Sequence, residues 1–333
     1  MAICINKDGI CFGSYSITPS ADGICISGVF SHQGTVVFGP TQGRVSGYSS
    51  GGGTPTLVNT IDKFPFTADN NATDVGDLTC ARNGAAGQSS STFGYTSGGS
   101  SPSPPIRLNI IDKFPFAADG NAADVGDLTQ GRTSVAGQTS TVSGYSSGGY
   151  APGNVNTIDK FPFSSDTNAT DVGDLTVVNS SVSGQSSTEN GYASGGFCGM
   201  PIPTGGLTAN IEKFPFSSDT NATDVGELTQ ARRGSGISSA VNGYTSGGDS
   251  PGIVDIIDKF PFAADGAATD VGNLTQARNS VAGQSSTATG YSSGGNPPGT
   301  SNIIDKFPFA IDSNATDVGD LTQARNGATG QQV

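Results

Sequence analysis

The sequence has no tryptophan, a single histidine, and only 15 lysines and arginines against 28 acidic residues in 333 positions. One histidine, His32, leaves no second imidazole for a zinc or copper site and no base inside the repeated region for a nucleophile. It is expected to be a surface residue. HExxH is missing, which removes the zinc-protease signature. A chain with a net charge of −13 lacks the clustered cations that grip phosphates, so nucleic acid is not an expected partner. No apolar run approaches 20 residues, so no membrane span is expected. The start, MAICINKDGICF, lacks a basic segment followed by an apolar one, so no secretory leader is predicted. The five cysteines (4, 11, 25, 80 and 198) are odd in number and form no CxxC pair. Free thiols in small buried positions are therefore expected.

What the sequence does have is glycine and repetition. The 50 glycines are patterned, not scattered. IDKFPFTADNNATDVGDLT (61–79) returns five times with small changes, starting at 111, 158, 211, 257 and 304. A second motif, GYSSGG or a variant, stands at 47, 94, 144, 191, 243 and 290, spaced 47, 50, 47, 52 and 47 residues apart. Nothing in a unit carries helical spacing, and short Thr/Ser/Val/Ile runs alternate with Gly, Asn, Asp and Pro. That pattern predicts four short strands per unit, and the period falls in the range of a β-propeller blade. In the second unit the strands are expected within AAGQSSST (85–92), FGYTSGG (93–99), LNIIDKF (108–114) and the stretch corresponding to ATDVGDLT. Pro115 should end the third strand, because it cannot donate to a ladder. Phe114 and Phe116 share one face and should pack against a neighbouring blade. Val75 and Leu78 are the inward candidates of the first fourth strand. The acids are expected in turns and on a solvated rim.

The order of an arginine, a small-residue strand, an aromatic with Gly-Gly and an apolar-Asp strand resembles the kelch repeat over about residues 43–333. Arg82, Arg132, Arg232, Arg278 and Arg325 match the kelch arginine, and Gly51-Gly52 and its five counterparts match the double glycine. The sequence departs from kelch in lacking tryptophan and in having Asn179 where the third arginine should stand. The resemblance implies an all-β propeller of four-stranded kelch-like blades, and six copies of the second, third and fourth strands predict a six-bladed β-propeller. The first unit has no small-residue strand upstream, whereas RNGATGQQV (325–333) is such a strand with no blade after it. The C-terminal strand is therefore expected to complete blade 1 and close the ring, removing exposed sheet edges. Residues 1–42 do not repeat. They are expected to form a short β-rich N-terminal element, with 43–333 as the propeller. That element either packs onto the propeller or docks onto a partner or another copy of itself, with Ile3, Ile5, Phe12, Ile24, Ile26 and Phe30 as its apolar contacts.

Sites in a repeat protein are expected where the repetition breaks. The segments between Gly-Gly and the next IDKFPF are 8, 11, 8, 14, 8 and 8 residues long. The two long ones carry Pro104, Pro105, Ile106 and Arg107, and Phe197, Met200, Pro201, Ile202 and Pro203. Loops on a rigid scaffold commonly carry recognition. Asp69, Asn71, Thr73, Asp74 and Asp77 give alternating oxygen ligands that suit calcium, but there is no central glycine or closing glutamate, and turn capping explains them better. No catalytic residue, cofactor or metal is expected. The N-A-T triplets at 71, 168, 221 and 314 match glycosylation acceptors but are expected to serve as turns. The near-identical acidic repeats behind a short β-rich head resemble accessory proteins of tailed, particularly marine, bacteriophage virions. That resemblance implies a non-enzymatic structural or appendage protein of capsid, neck or tail, made in the host cytoplasm. It would attach to other virion proteins through residues 1–42 and present its varied face to a host glycan or protein. The alternatives are a soluble intracellular kelch-type interaction scaffold and, behind it, a carboxylate-based glycan hydrolase.

Overall fold

The computed structural model describes residues 2–6, 9–13, 16–20, 23–27, 42–102, 105–199 and 206–333, with side chains from 42 onward except at Pro105. The chain divides into two compact units, Met1–Phe38 and Gly39–Val333. Gln42 and Gly43 are bonded within the second unit. Gln42 Nε2 donates to the Ser238 carbonyl (3.4 Å), and the Gly43 amide donates to that of Ser285 (2.8 Å).

In the first unit, Ala2–Asn6 pairs antiparallel with Gly9–Gly13, and Ser16–Ser20 pairs with Gly23–Ser27. The second strand of each pair begins at the glycine of an Asp-Gly dipeptide in the sequence, at 8–9 and at 22–23. Ile3, Ile5 and Phe12 lie on the first hairpin, where Ile3 is paired with Phe12, and Ile24 and Ile26 lie on the second. Phe30 and His32 lie outside the described residues.

The second unit is all β. Its described residues form four-stranded antiparallel sheets, each a meander, in a propeller-like arrangement. Sheet 1 comprises Thr329–Gln332, Ser46–Ser50, Thr60–Pro65 and Thr73–Asp77. Its first strand thus comes from the end of the chain, with Gln331 paired to Tyr48. Sheet 2 comprises Ala86–Ser89, Phe93–Ser97, Ile110–Pro115 and Ala123–Asp127. Sheets 3, 4, 5 and 6 repeat this order, beginning at Ala136, Ser183, Arg233 and Ala282. Each third strand ends on its proline, as the missing amide donor requires.

The third strands do not alternate strictly in burial. Ile111 and Asp112 are both fully buried, as are their counterparts in every sheet. A register shift between these two residues breaks the alternation, and it recurs in all the third-to-fourth strand pairings. Neighbouring sheets cover both faces of the strand. This corrects the expectation that the acids lie in turns and on a rim, because the aspartate of IDKFPF is a core residue.

Each seam between sheets is built from the same parts. Tyr95 of sheet 2 stacks on Phe163 of sheet 3 at 4.9 Å and tilts against Phe161 at 5.5 Å. Equivalent triplets join sheets 1 and 2 through Tyr48, and sheets 6 and 1 through Tyr291. The Phe pair therefore packs between sheets as its spacing implied, and the tyrosine of GYxSGG is its partner. Leu78 is buried under the same cluster, and Val75 packs partly buried against it.

The fourth strand would be an open edge, but the following repeat covers it. The Ala122 amide donates to the Asp77 carbonyl (2.8 Å), and Asn121 Oδ1 accepts the Asp77 amide (3.0 Å). Pairing this edge withdraws a surface on which another chain could add a strand.

Candidate binding face around the central channel

The repeated acids are engaged by the fold. Asp159 is fully buried and lies 3.1 Å from the Arg132 guanidinium of the preceding repeat. It also accepts the Thr129 amide (3.0 Å) and hydroxyl (2.7 Å). Arg82–Asp112, Arg232–Asp258, Arg278–Asp305 and Arg325–Asp62 repeat the pair with both side chains buried. The arginine thus ties one repeat to the carboxylate of the next.

The calcium candidates point to separate partners. Asp69 pairs with Lys306 at 2.7 Å, Asn71 Oδ1 accepts the Asp320 amide, and Asp74 Oδ1 accepts the Gly76 amide. Asp77 offers its own amide to Asn121. These residues cap turns and edges. Gly47-Tyr-Ser-Ser-Gly51 has the G-x-S-x-G spacing of a hydrolase elbow. Its Ser49 is fully buried within a strand, so the spacing belongs to a β-ladder and not to a strand-to-helix turn.

Small residues on the first strands let those strands converge. A β-carbon on Gly137 would collide with the carbonyl of Gly87, and one on Gly184 with that of Gly137. The series continues through Gly236, Gly283 and Gly330, and Gly87 in turn abuts the carbonyl of Gly330. A polar cavity of about 280 Å³ runs between these strands. At its mouth Ser134, Ser181 and Ser280 hold left-handed backbone (φ 57°, 55° and 52°) where other repeats have Gly84 and Gly327. Their amides bond in sequence around the opening: Ser134 to the Gly84 carbonyl, Ser181 to Ser134, Gly84 to Gly327 and Gly327 to Ser280.

Sheet 5 breaks this series. Arg233-Gly234 replaces the usual pair, and Arg233 makes a two-point ion pair with Asp249 beside the cavity. Ile237 takes the place of a glutamine that elsewhere bonds the neighbouring tyrosine carbonyl, as Gln138 does with Tyr192 (3.0 Å).

Sheets 2, 3 and 4 carry the other irregularities on this face. The 11-residue segment folds as a hairpin, Ser100–Pro102 against Pro105–Arg107, with Ile106 exposed. The Arg107 guanidinium lies 4.6 Å from the centroid of the Tyr150 ring. Tyr150 is 40 % exposed, and its backbone pairs with Thr133, next to Ser134 of the channel mouth. Tyr150 also bridges to Asn154, whose Nδ2 donates to the Phe197 carbonyl (2.6 Å). Phe197 is 39 % exposed. It sits on a small extra sheet of Asn179–Ser180, Phe197–Cys198 and Gly206–Leu207. Of the expected loop residues, Ile106, Arg107 and Phe197 are thus brought to one face, and Pro105 is placed on the hairpin backbone. Pro104, Met200, Pro201, Ile202 and Pro203 lie outside the described residues. Tyr150 and Asn154 were missed because their segment has the ordinary length. The signal available was its composition, YAPGNVNT.

Beneath the extra sheet the arginine–aspartate pair is rewritten on both sides. Asn179 replaces the arginine and Glu212 replaces the aspartate. Both are 1 % exposed. Asn179 Nδ2 donates to the Gly195 carbonyl (2.9 Å), while its Oδ1 has no partner among the described residues. Glu212 accepts the Thr176 amide (2.5 Å). Burial pushes its carboxyl above the ordinary range against that bond, and Asp224 adds to the rise. Cys198, also buried, has its thiol pushed up by burial.

No protein-family model matches the chain, and no characterised protein is similar to it in sequence.

Proposed function

We propose that the second unit is a closed six-bladed β-propeller of kelch-like blades, completed by the C-terminal strand in blade 1. Its role is non-enzymatic: it is a rigid carrier for the face around the channel mouth. The observation that carries this reading is where the repeats agree and where they differ. Seam aromatics recur in every unit and buried arginine–carboxylate pairs in all but one, whereas the altered lengths and exposed aromatics gather beside the first-strand mouth. A structural repeat tolerates change where it does not support a seam, and loops on such a scaffold are where binding residues accumulate.

The chain is further proposed to be an accessory protein of a tailed-phage particle, attached through residues 1–42 and facing outward with the propeller. Near-identical acidic repeats behind a short β-rich head support this reading. The acidic surface also limits non-specific association with nucleic acid. The test is a deletion of residues 1–42. Incorporation into particles should be lost, while the remaining propeller keeps its melting temperature. Incorporation at the full level without residues 1–42 overturns the attachment role. Capture of a host intracellular protein, with no particle association of the full chain, would favour the scaffold reading.

A further inference from the structure

The cations of this acidic chain are almost all committed. Lys63, Lys113, Lys160, Lys213, Lys259 and Lys306 each pair with an aspartate of the following repeat. Arg82, Arg132, Arg232, Arg278 and Arg325 are buried against carboxylates, and Arg233 is paired with Asp249. Arg107 differs: it is exposed and makes no ion pair among the described residues. Its guanidinium is instead held over Tyr150, which orients the donor fork without using it up.

We infer that Arg107, Tyr150, Asn154 and Phe197 form a binding site for an acidic saccharide, a pyranose bearing a carboxylate. The inference rests on the recognition face proposed above and names what that face recognises. The guanidinium fork matches a carboxylate in two-point geometry and provides the charge selection. The exposed Phe197 ring offers a flat apolar surface to the C–H face of a sugar ring. The Asn154 side chain fixes the Phe197 backbone relative to Tyr150, so the aromatic and the cation are held on one support.

Two observations favour a saccharide over a protein partner. The patch comprises a few residues, whereas a stable protein interface engages roughly 20–30 on each side. Tyr150 pairs with Thr133 and Phe197 with Ser180, each next to a serine of the Ser- and Gly-rich channel mouth, which supplies hydrogen-bonding groups but little apolar area.

The test uses the full chain and two matched probes, trigalacturonic acid and its neutral methyl ester, with binding measured by calorimetry. The acid should bind at least about tenfold more tightly than the ester, the scale expected for a hydrogen-bonded charge. Arg107→Gln should bring the acid down to the ester's level, and Phe197→Ala should weaken both. Val142→Thr, on an exposed turn of sheet 3 away from the patch, should change neither. All three positions are solvent-accessible, so unchanged melting temperatures verify folding. No binding of the acid, equal binding of acid and ester, or binding unaltered by both patch variants overturns the inference. Hexaglutamate binding as tightly as the acid overturns the saccharide assignment. Particle incorporation of Arg107→Gln is scored separately. Normal incorporation with no saccharide binding by the parent chain would sink this inference alone, and failure of the parent to incorporate would sink the virion reading.

Discussion

The Arg325 guanidinium lies 3.1 Å from the carboxylate of Asp62, so the last repeat is tied to the first by the same buried pair that joins adjacent repeats. Thr322 donates to the same carboxylate through its amide (2.9 Å) and hydroxyl (2.7 Å). Removing residues 329–333 leaves that pair in place but strips sheet 1 of its first strand and bares the edge of Ser46–Ser50. The truncated chain should melt at lower temperature, over a broader range, and self-associate through the bared edge. Differential scanning calorimetry with light scattering checks this, and an unchanged sharp transition would count against closure.

The buried and the outer ion pairs that join repeats should differ widely in worth. Arg132→Ala leaves the Asp159 carboxylate buried without its cation, and a loss of about 3–5 kcal/mol is expected. Lys113→Ala removes the partly buried partner of the exposed Asp166 and should cost about 0–1 kcal/mol, less in high salt. Denaturant titrations of both variants give the comparison directly.

Sheet 4 should carry a pH dependence set by Glu212. Burial holds the Glu212 carboxyl above its ordinary value, so its contribution to stability is fully present in acid and is lost as pH rises through the raised value. Glu212→Gln should therefore gain on the parent as pH rises from about 4 to 8, because only the parent loses stability as its buried carboxyl ionises. The double variant Asn179→Arg with Glu212→Asp rebuilds the sister pair and should flatten the same difference. Parallel stability curves for parent and Gln variant between pH 4 and 8 would rule out this origin.

Glycine substitutions should separate by position. Gly184→Ala drives a methyl group into the Gly137 carbonyl and should cost about 1–3 kcal/mol or more. Gly266→Ala meets nothing within 4 Å at an ordinary φ and should be neutral or stabilising by up to about 1 kcal/mol. Thermal melts of the two variants distinguish a spatial requirement from mere composition.

Periodicity revealed the strands, the role of the proline and the shared face of the Phe pair, because each is set by the local pattern of one repeat. The partners across seams were hidden by the repetition itself. When five copies of a residue are equivalent, no local pattern says that Arg132 belongs to Asp159 and not to the aspartate of its own repeat. Asp159 looked like a surface acid because strand alternation was assumed, and the register shift between Ile158 and Asp159 removes that alternation. The paired change at Asn179 and Glu212 was written in the sequence, but it acquires meaning only once the two positions are known to face each other across a seam. Arg107 and Phe197 were legible as departures in loop length. Tyr150 was not, because its segment differs in composition alone.

The glycines at the centre also set a limit on how the chain can change. Each one makes its closest approach to the counterpart in the next repeat, and Gly87 meets Gly330. A tandem array so uniform could gain or lose a unit without disturbing any single seam. A changed number of units would nevertheless alter the angle at every central contact, opening or crushing all of them together. In the closed six-bladed ring proposed above, the absence of a side chain at one position per repeat would therefore work as a counting device.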